Sequence, residues 1–226
     1  MKIEINKGFV RLDAYEASDL SVVNAARVSF GKKKDFLDES DIGLIKFLMK
    51  NSHGTPFEHN FFRFHVKTPI FVAREWFRHR IGSFNEFSMR YAIPEMDYYV
   101  PETKHFRSQV GKPGSYTFEP IDNSDGKVDY LQIQMEEAYK FSIETYEHLL
   151  SFGVAKELAR TVLPVGLYTE FYWSINARSL MNFVRLRNAP EAMQEIRDFA
   201  ASVEYLFSMI MPVTYEAFLE FDRVAV

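Results

Sequence analysis

The chain has 226 residues, 47% hydrophobic and 26% charged, enough apolar material for a large buried core and far from a disordered composition. A formal net charge of -4 excludes a general nucleic-acid coat, so local clusters of positive charge matter more than the total. Cysteine is absent, which excludes disulfides, thiolate nucleophiles and cysteine-ligated metals and suits a reducing compartment, with the cytoplasm as the default.

The opening eight residues lack the apolar region of a signal peptide, and no run reaches the roughly 18 apolar residues of a membrane span, so no membrane role is expected. Ile3 and Ile5 alternate before Asn6-Lys7-Gly8, and Phe9, Val10 and Leu12 follow, which predicts a hairpin. Asp19 is read as the cap of a helix turning Leu20, Val23, Ala26 and Val28 inward, and Asp41 as the start of another with Ile42, Ile45 and Leu48. From 60 to 67, Phe62, Phe64 and Val66 share one face while Phe61, Arg63, His65 and Lys67 share the other, the pattern of a half-buried strand. Thr68-Pro69 predicts a helix with proline at its first position, continuing from Ile70 to Arg80. From 82 to 91 polar residues fall on both alternation phases, so a loop of extended character is expected there.

Residues 101–127 scatter Pro101, Gly111, Pro113, Gly114, Pro120 and Gly126 among polar residues, which reads as an irregular surface excursion with a mobile tip rather than a linker, and one domain is expected. An amphipathic helix is predicted over 128–152, closed by Gly153, then a shorter one carrying Lys156, Glu157 and Arg160, then a strand over 167–173. From Asn176 a helical reading places Arg178, Asn182 and Arg185 on one stripe and turns Leu180, Phe183 and Val184 to the core. Arg187, nine residues after Arg178, lies about half a turn away at roughly 100° per residue, so it is expected to face another direction unless the helix frays, and the two arginines could serve two ligands. Asn188 and Pro190 precede a further helix expected to reach Met211.

The chemistry concentrates in Arg78-His79-Arg80-Ile81-Gly82-Ser83-Phe84-Asn85-Glu86-Phe87-Ser88-Met89-Arg90. Guanidinium forks match phosphate oxygens with paired charge-assisted hydrogen bonds, and serine and asparagine add neutral donors, so a nucleotide is the expected ligand. Neither G-x-G-x-x-G nor the phosphate-loop pattern occurs, so a dinucleotide's pyrophosphate would have to be held by arginine side chains. His53, His59 and His65 recur every six residues, a period that suits no standard ligand pair, so they are read as structural or surface residues and no metal is expected. Arg74, Arg185 and Arg197 read as solvated, and Phe61, Phe62, Phe64, Phe71, Trp76 and Phe77 as core rather than stacking platforms.

The run from 78 to 90 fits R-H-R-x-x-S-x-N-x-x-S-x-R at every fixed position and closely resembles the motif of the flavin-dependent thymidylate synthases. His53-Gly54-Thr55-Pro56-Phe57-Glu58-His59, Glu157-Leu158-Ala159-Arg160 and Asn176-Ala177-Arg178-Ser179-Leu180-Met181-Asn182-Phe183 extend the resemblance over most of the chain outside 101–127. The resemblance implies an α+β fold, a single domain with an antiparallel sheet packed against long helices. It further implies a homotetramer with FAD at subunit junctions, and conversion of dUMP to dTMP with 5,10-methylenetetrahydrofolate and NADPH. By similarity, Thr55, Arg78, His79, Arg80, Glu86, Asn176, Ala177, Arg178 and Asn182 would contact FAD. Glu75, Trp76, Phe77, Arg78, Glu86, Phe87, Ser88, Met89, Arg90 and Arg160 would hold dUMP, and Arg187 matches the arginine that polarises the uracil. Two positions depart from the pattern: Glu75 stands where relatives often carry glutamine, and Glu191 where some carry histidine. Two readings compete, a single-stranded nucleic-acid binding module using the same arginines and aromatics, and a nucleotide-linked flavin reductase without methyl transfer.

Overall fold

The computed structural model describes residues 1–112 and 115–223. Strands β1 (Lys2–Ile5) and β2 (Gly8–Glu16) form the expected hairpin with Ile3 opposite Val10, and Asn6 takes the left-handed turn position at φ 53°. Helix α1 (Asp19–Arg27) is capped not by Asp19 but by Ser18, whose side chain accepts the Ser21 N–H. Asp19 is buried and serves a different helix, accepting hydrogen bonds from the N–H groups of Val213 (3.1 Å) and Thr214 (2.8 Å) and from the Thr214 hydroxyl (2.6 Å). Helix α2 (Glu39–Lys50) likewise starts one turn earlier than expected, at Asp38; Asp41 completes the capping box, its carboxylate buried beneath Arg27 and Lys34 at 2.6 Å each.

A short helix α3 (Thr55–Glu58) leads into strand β3 (Phe61–Pro69), which buries Phe62, Phe64 and Val66 as expected. Pro69 closes that strand rather than opening a helix, and helix α4 (Ile70–Trp76) stops four residues before Arg80. The early stop has a packing cause. Trp76 is fully buried, 5.2 Å from Trp173 and 4.7 Å from Phe183 between ring centroids, and the chain turns directly after it, with the His79 N–H bonded to the Trp76 carbonyl. The turn delivers the chain to strand β4 (Ser83–Glu86), where a loop was expected. Only Phe84 of β4 is half-buried, so this edge strand shows no one-faced alternation.

Within 101–127 the expected irregular excursion is instead a ladder, β5 (Arg107–Lys112) against β6 (Ser115–Pro120), with Val110 opposite Thr117. All its described residues except Arg107 are exposed, so no apolar face announces it; the expected mobile tip, Pro113-Gly114, lies outside the described residues. Helix α5 (Lys127–Ser151) ends as predicted, with Gly153 at φ 79° and the Gly153 and Val154 N–H groups bonded to the Leu150 and Leu149 carbonyls. Then come α6 (Lys156–Ala159), β7 (Tyr168–Asn176), α7 (Ala177–Arg187) and α8 (Gln194–Ile210). A last helix, α9 (Pro212–Phe221), begins on a proline at its first turn and was not foreseen.

These elements form two compact units. The first comprises residues 1–68, 72–86 and 169 onward, the second 69–71 and 87–168, a larger segment than the 101–127 excursion. The first unit carries a five-stranded sheet in the order β1-β2-β3-β7-β4, whose β1–β2, β2–β3 and β4–β7 pairs are antiparallel, together with the helices of an α+β fold. Its core joins Val10, Phe64, Trp76, Phe171, Trp173 and Ile175 to the inward faces of α7 (Leu180, Phe183, Val184) and α8 (Ile196, Phe199, Val203). The second unit holds the β5–β6 hairpin, α5 and α6, and buries Val128 and Tyr146. Among the described residues no helix is long and apolar enough to cross a membrane.

Candidate functional site

A cavity of about 860 Å³ opens in the first unit. The segment after α2 contributes His53, Gly54 and Glu58, the turn after α4 contributes Arg78, His79 and Arg80, and α7 with its cap contributes Asn176, Arg178 and Asn182. Arg185, Arg187 and Asp222 complete its charged wall. Five guanidinium groups thus face two lining carboxylates, Glu58 and Asp222. Arg178 pairs with Glu58, and Arg185 reaches Asp222 (3.4 Å) and Asn182 (3.0 Å). Arg78 and Arg80 are exposed and have no ion-pair partner among the described residues, which leaves two forks for an incoming anion.

Local folding explains the concentration. The predicted stripe of α7 holds, with Leu180, Phe183 and Val184 fully buried and Arg178, Asn182 and Arg185 on the cavity side. Asn176 caps α7 by accepting the Ser179 N–H at 2.9 Å, so the helix presents its positive N-terminal end to the cavity. That end offsets the negative C-terminal end of α4 beside Arg78.

Gly54 matters for a steric reason: a Cβ there would collide with the Arg178 guanidinium. Because that group ends a flexible side chain, the fold can absorb Gly54→Ala while Arg178 is pushed from its place. The variant is expected to melt at the native temperature but to bind an anionic ligand of this cavity about tenfold more weakly in a titration, the cost of one charge-assisted hydrogen bond.

Arg187 does not face away from Arg178, as the azimuth argument expected; both line the same cavity. Nine residues separate them by roughly 13 Å along the axis, and the long side chain at the helix end returns to the turn after α4. Its Nε donates to His79 Nε2 (2.9 Å) and its Nη1 to Glu75 Oε2 (2.6 Å). His79 must therefore be neutral, with Nε2 as acceptor. Burial, and then the Arg187 charge, push its pKa down from the usual 6.5 to about 4.

A lowered folded-state value means that between pH 6.5 and 4 the unfolded chain binds a proton that the native cavity refuses. The contribution of His79 to stability is therefore complete above 6.5 and is lost as pH falls toward 4. The urea midpoint of the native protein should drop across this window more than that of His79→Gln; equal drops would show that His79 titrates normally.

The remaining predicted residues are distributed as follows. Thr55 is the exposed first residue of α3, next to Gly54 but not itself on the cavity wall. Glu86, at the end of β4, accepts the Thr169 hydroxyl at 2.8 Å. Ala177 and Trp76 have fully buried side chains, which leaves only their backbones to meet a ligand, and the Ala177 N–H is already given to the Asn60 carbonyl. Phe77 is half-buried and packs edge-on against Phe84 (4.8 Å) and Phe171 (5.0 Å).

Phe87, Ser88, Met89, Arg90 and Arg160 belong to the second unit. There Glu157 joins two of them, pairing with Arg90 Nη2 at 3.4 Å and accepting Arg160 Nε on its carbonyl at 3.3 Å. Sequence reasoning set aside Arg185 and His53, yet both line the cavity. The shared stripe with Arg178 and Asn182 could have retained Arg185; for His53 the only signal was its place beside Gly54.

Comparison with known proteins agrees with this geometry. The profile of the thymidylate synthase complementing protein family matches residues 11–213. A flavin-dependent thymidylate synthase of Thermosipho melanesiensis is 46% identical over 220 residues, covering 96% of this chain and 93% of that protein. One from Thermus thermophilus is 44% identical over 216 residues, covering 96% and 77%. The crystal structure of PolB from Streptomyces cacaoi, a UMP/dUMP methylase bound with 5-Br dUMP, superposes with a TM-score of 0.87 at 40% identity over 97% of this chain and 98% of that one. The chain belongs to the thymidylate synthase complementing protein family, that of the flavin-dependent thymidylate synthases.

Proposed function

We propose that the protein converts dUMP to dTMP by FAD-dependent reductive methylation, with 5,10-methylenetetrahydrofolate as carbon donor and NADPH as reductant, in a homotetramer with FAD at subunit junctions. The observation that carries this reading is the arginine-lined cavity in which Arg78 and Arg80 have no ion-pair partner among the described residues. Its donor set fits FAD: Arg78, Arg80 and Arg178 would hold the pyrophosphate in place of a glycine cradle, with Asn176, Asn182 and His79 fixing orientation. When bound and reduced, FAD would supply hydride chemistry at this site.

The chain's own residues do the rest. Arg90, Ser88 and Arg160 receive the dUMP phosphate, supported by Phe87, Met89, Phe77 and Arg78, and the bonds to Glu157 draw on both Arg90 and Arg160. That the PolB methylase was crystallised with 5-Br dUMP and 5-Br UMP supports the choice of nucleotide. Arg187 stabilises negative charge as it develops on the uracil ring, which makes C5 nucleophilic without a sulfur nucleophile, and the chain has no cysteine to supply one.

The purified protein is expected to be yellow and to bleach with NADPH. A colourless protein whose oligonucleotide affinity falls steeply with salt would replace this reading with a single-strand binder. Bleaching without dTMP would leave a flavin reductase.

A further inference from the structure

We propose that Glu75 and His79 are positioning residues that hold the Arg187 guanidinium in one orientation, so that Glu75 acts on the reaction through Arg187 rather than by touching the nucleotide. The proposal rests on the role given to Arg187 above.

Glu75 lies in the last turn of α4 and His79 in the turn that follows, while Arg187 closes α7, so two elements meet at one side chain. The guanidinium is held at two of its three nitrogens, Nη1 by Glu75 Oε2 at 2.6 Å and Nε by His79 Nε2 at 2.9 Å. A guanidinium is planar, so two anchors on different nitrogens fix both its plane and its rotation about the Cδ–Nε bond. Nη2 then points in a set direction and has no hydrogen-bond partner among the described residues. Orientation settled before the substrate arrives does not have to be paid for in the transition state.

Each anchor contributes differently. His79 accepts only while neutral; burial and then the facing Arg187 charge disfavour an imidazolium there, and Phe183 packs edge-on against the ring at 5.0 Å. Glu75 is more exposed than Arg187, with side chains 46% and 21% accessible, so its free oxygen stays solvated while the bonded one turns inward. A direct role on uracil fits poorly. A carboxylate only accepts hydrogen bonds, and placed against a ring gaining negative charge it would oppose the reaction.

Glu75→Ala is expected to slow dTMP formation about 100-fold, the effect of a misplaced catalytic group, with flavin content and the dUMP dissociation constant unchanged. Glu75→Gln should recover most of the rate, because an amide oxygen accepts the same Nη1–H. In an Arg187→Lys enzyme, whose ammonium rotates freely and gains nothing from a two-point hold, Glu75→Ala should cause no further loss. The proposal is overturned if Glu75→Ala weakens dUMP binding in step with turnover, or if it slows the Arg187→Lys enzyme as much as the native one. Full turnover by Arg187→Ala is a separate result: it overturns the reading of Arg187 itself, whatever the Glu75 variants do.

Discussion

Replacing Arg187 with alanine is expected to leave a folded, yellow protein whose dTMP formation falls by about 10²–10³-fold, the usual cost of removing one donor aimed at developing transition-state charge. The fold should survive because Arg187 is the last residue of α7, and the inward face of that helix is made by Leu180, Phe183 and Val184. Flavin should be retained because Arg78, Arg80 and Arg178 remain on the cavity wall. Removal also frees two partners: Glu75 is already partly solvated, and His79 loses the neighbouring charge that helps depress its pKa. Flavin absorbance and a dTMP assay on the same preparation separate the two effects, and normal turnover would remove Arg187 from the chemistry.

Trp76→Ala is the variant expected to cost most in stability, about 3–5 kcal/mol, because a fully buried indole is deleted from the centre of an aromatic cluster. Its ring meets Phe171 (5.5 Å), Trp173 (5.2 Å), Phe183 (4.7 Å) and Phe199 (6.4 Å), so strand β7 and helices α7 and α8 all lose a contact at once. The site should suffer indirectly, since the turn carrying Arg78, His79 and Arg80 hangs from the Trp76 carbonyl. A lowered urea midpoint is the expected result. An unchanged midpoint with weaker dUMP binding would instead restore Trp76 as a ligand contact.

The difference between these residues also shows what the sequence could disclose. Periodic elements were legible: the opening hairpin, the buried face of β3, α5 with Gly153 at its end and the stripe of α7 each repeat a local pattern with a local cause. Exposed edges were not, because β4, β5 and β6 have almost no buried face to generate alternation. Asp19 resembled a cap for its own helix, but its carboxylate is used 194 residues away, at the start of α9. The bonds from Arg187 to His79 and Glu75 span 108 and 112 residues, so no spacing rule could link them. Arg185 reads as solvated because helix surfaces rich in arginine and glutamate usually are, a general expectation that the cavity overrides here.

The central claim is that guanidinium groups, without a glycine cradle or a sulfur nucleophile, hold flavin and nucleotide for methyl transfer. Incubating the pure, flavin-loaded protein with dUMP, 5,10-methylenetetrahydrofolate and NADPH tests it most directly. The account predicts dTMP and tetrahydrofolate in equal amounts, with no product when NADPH is omitted. NADPH consumption with dUMP left unchanged would contradict it.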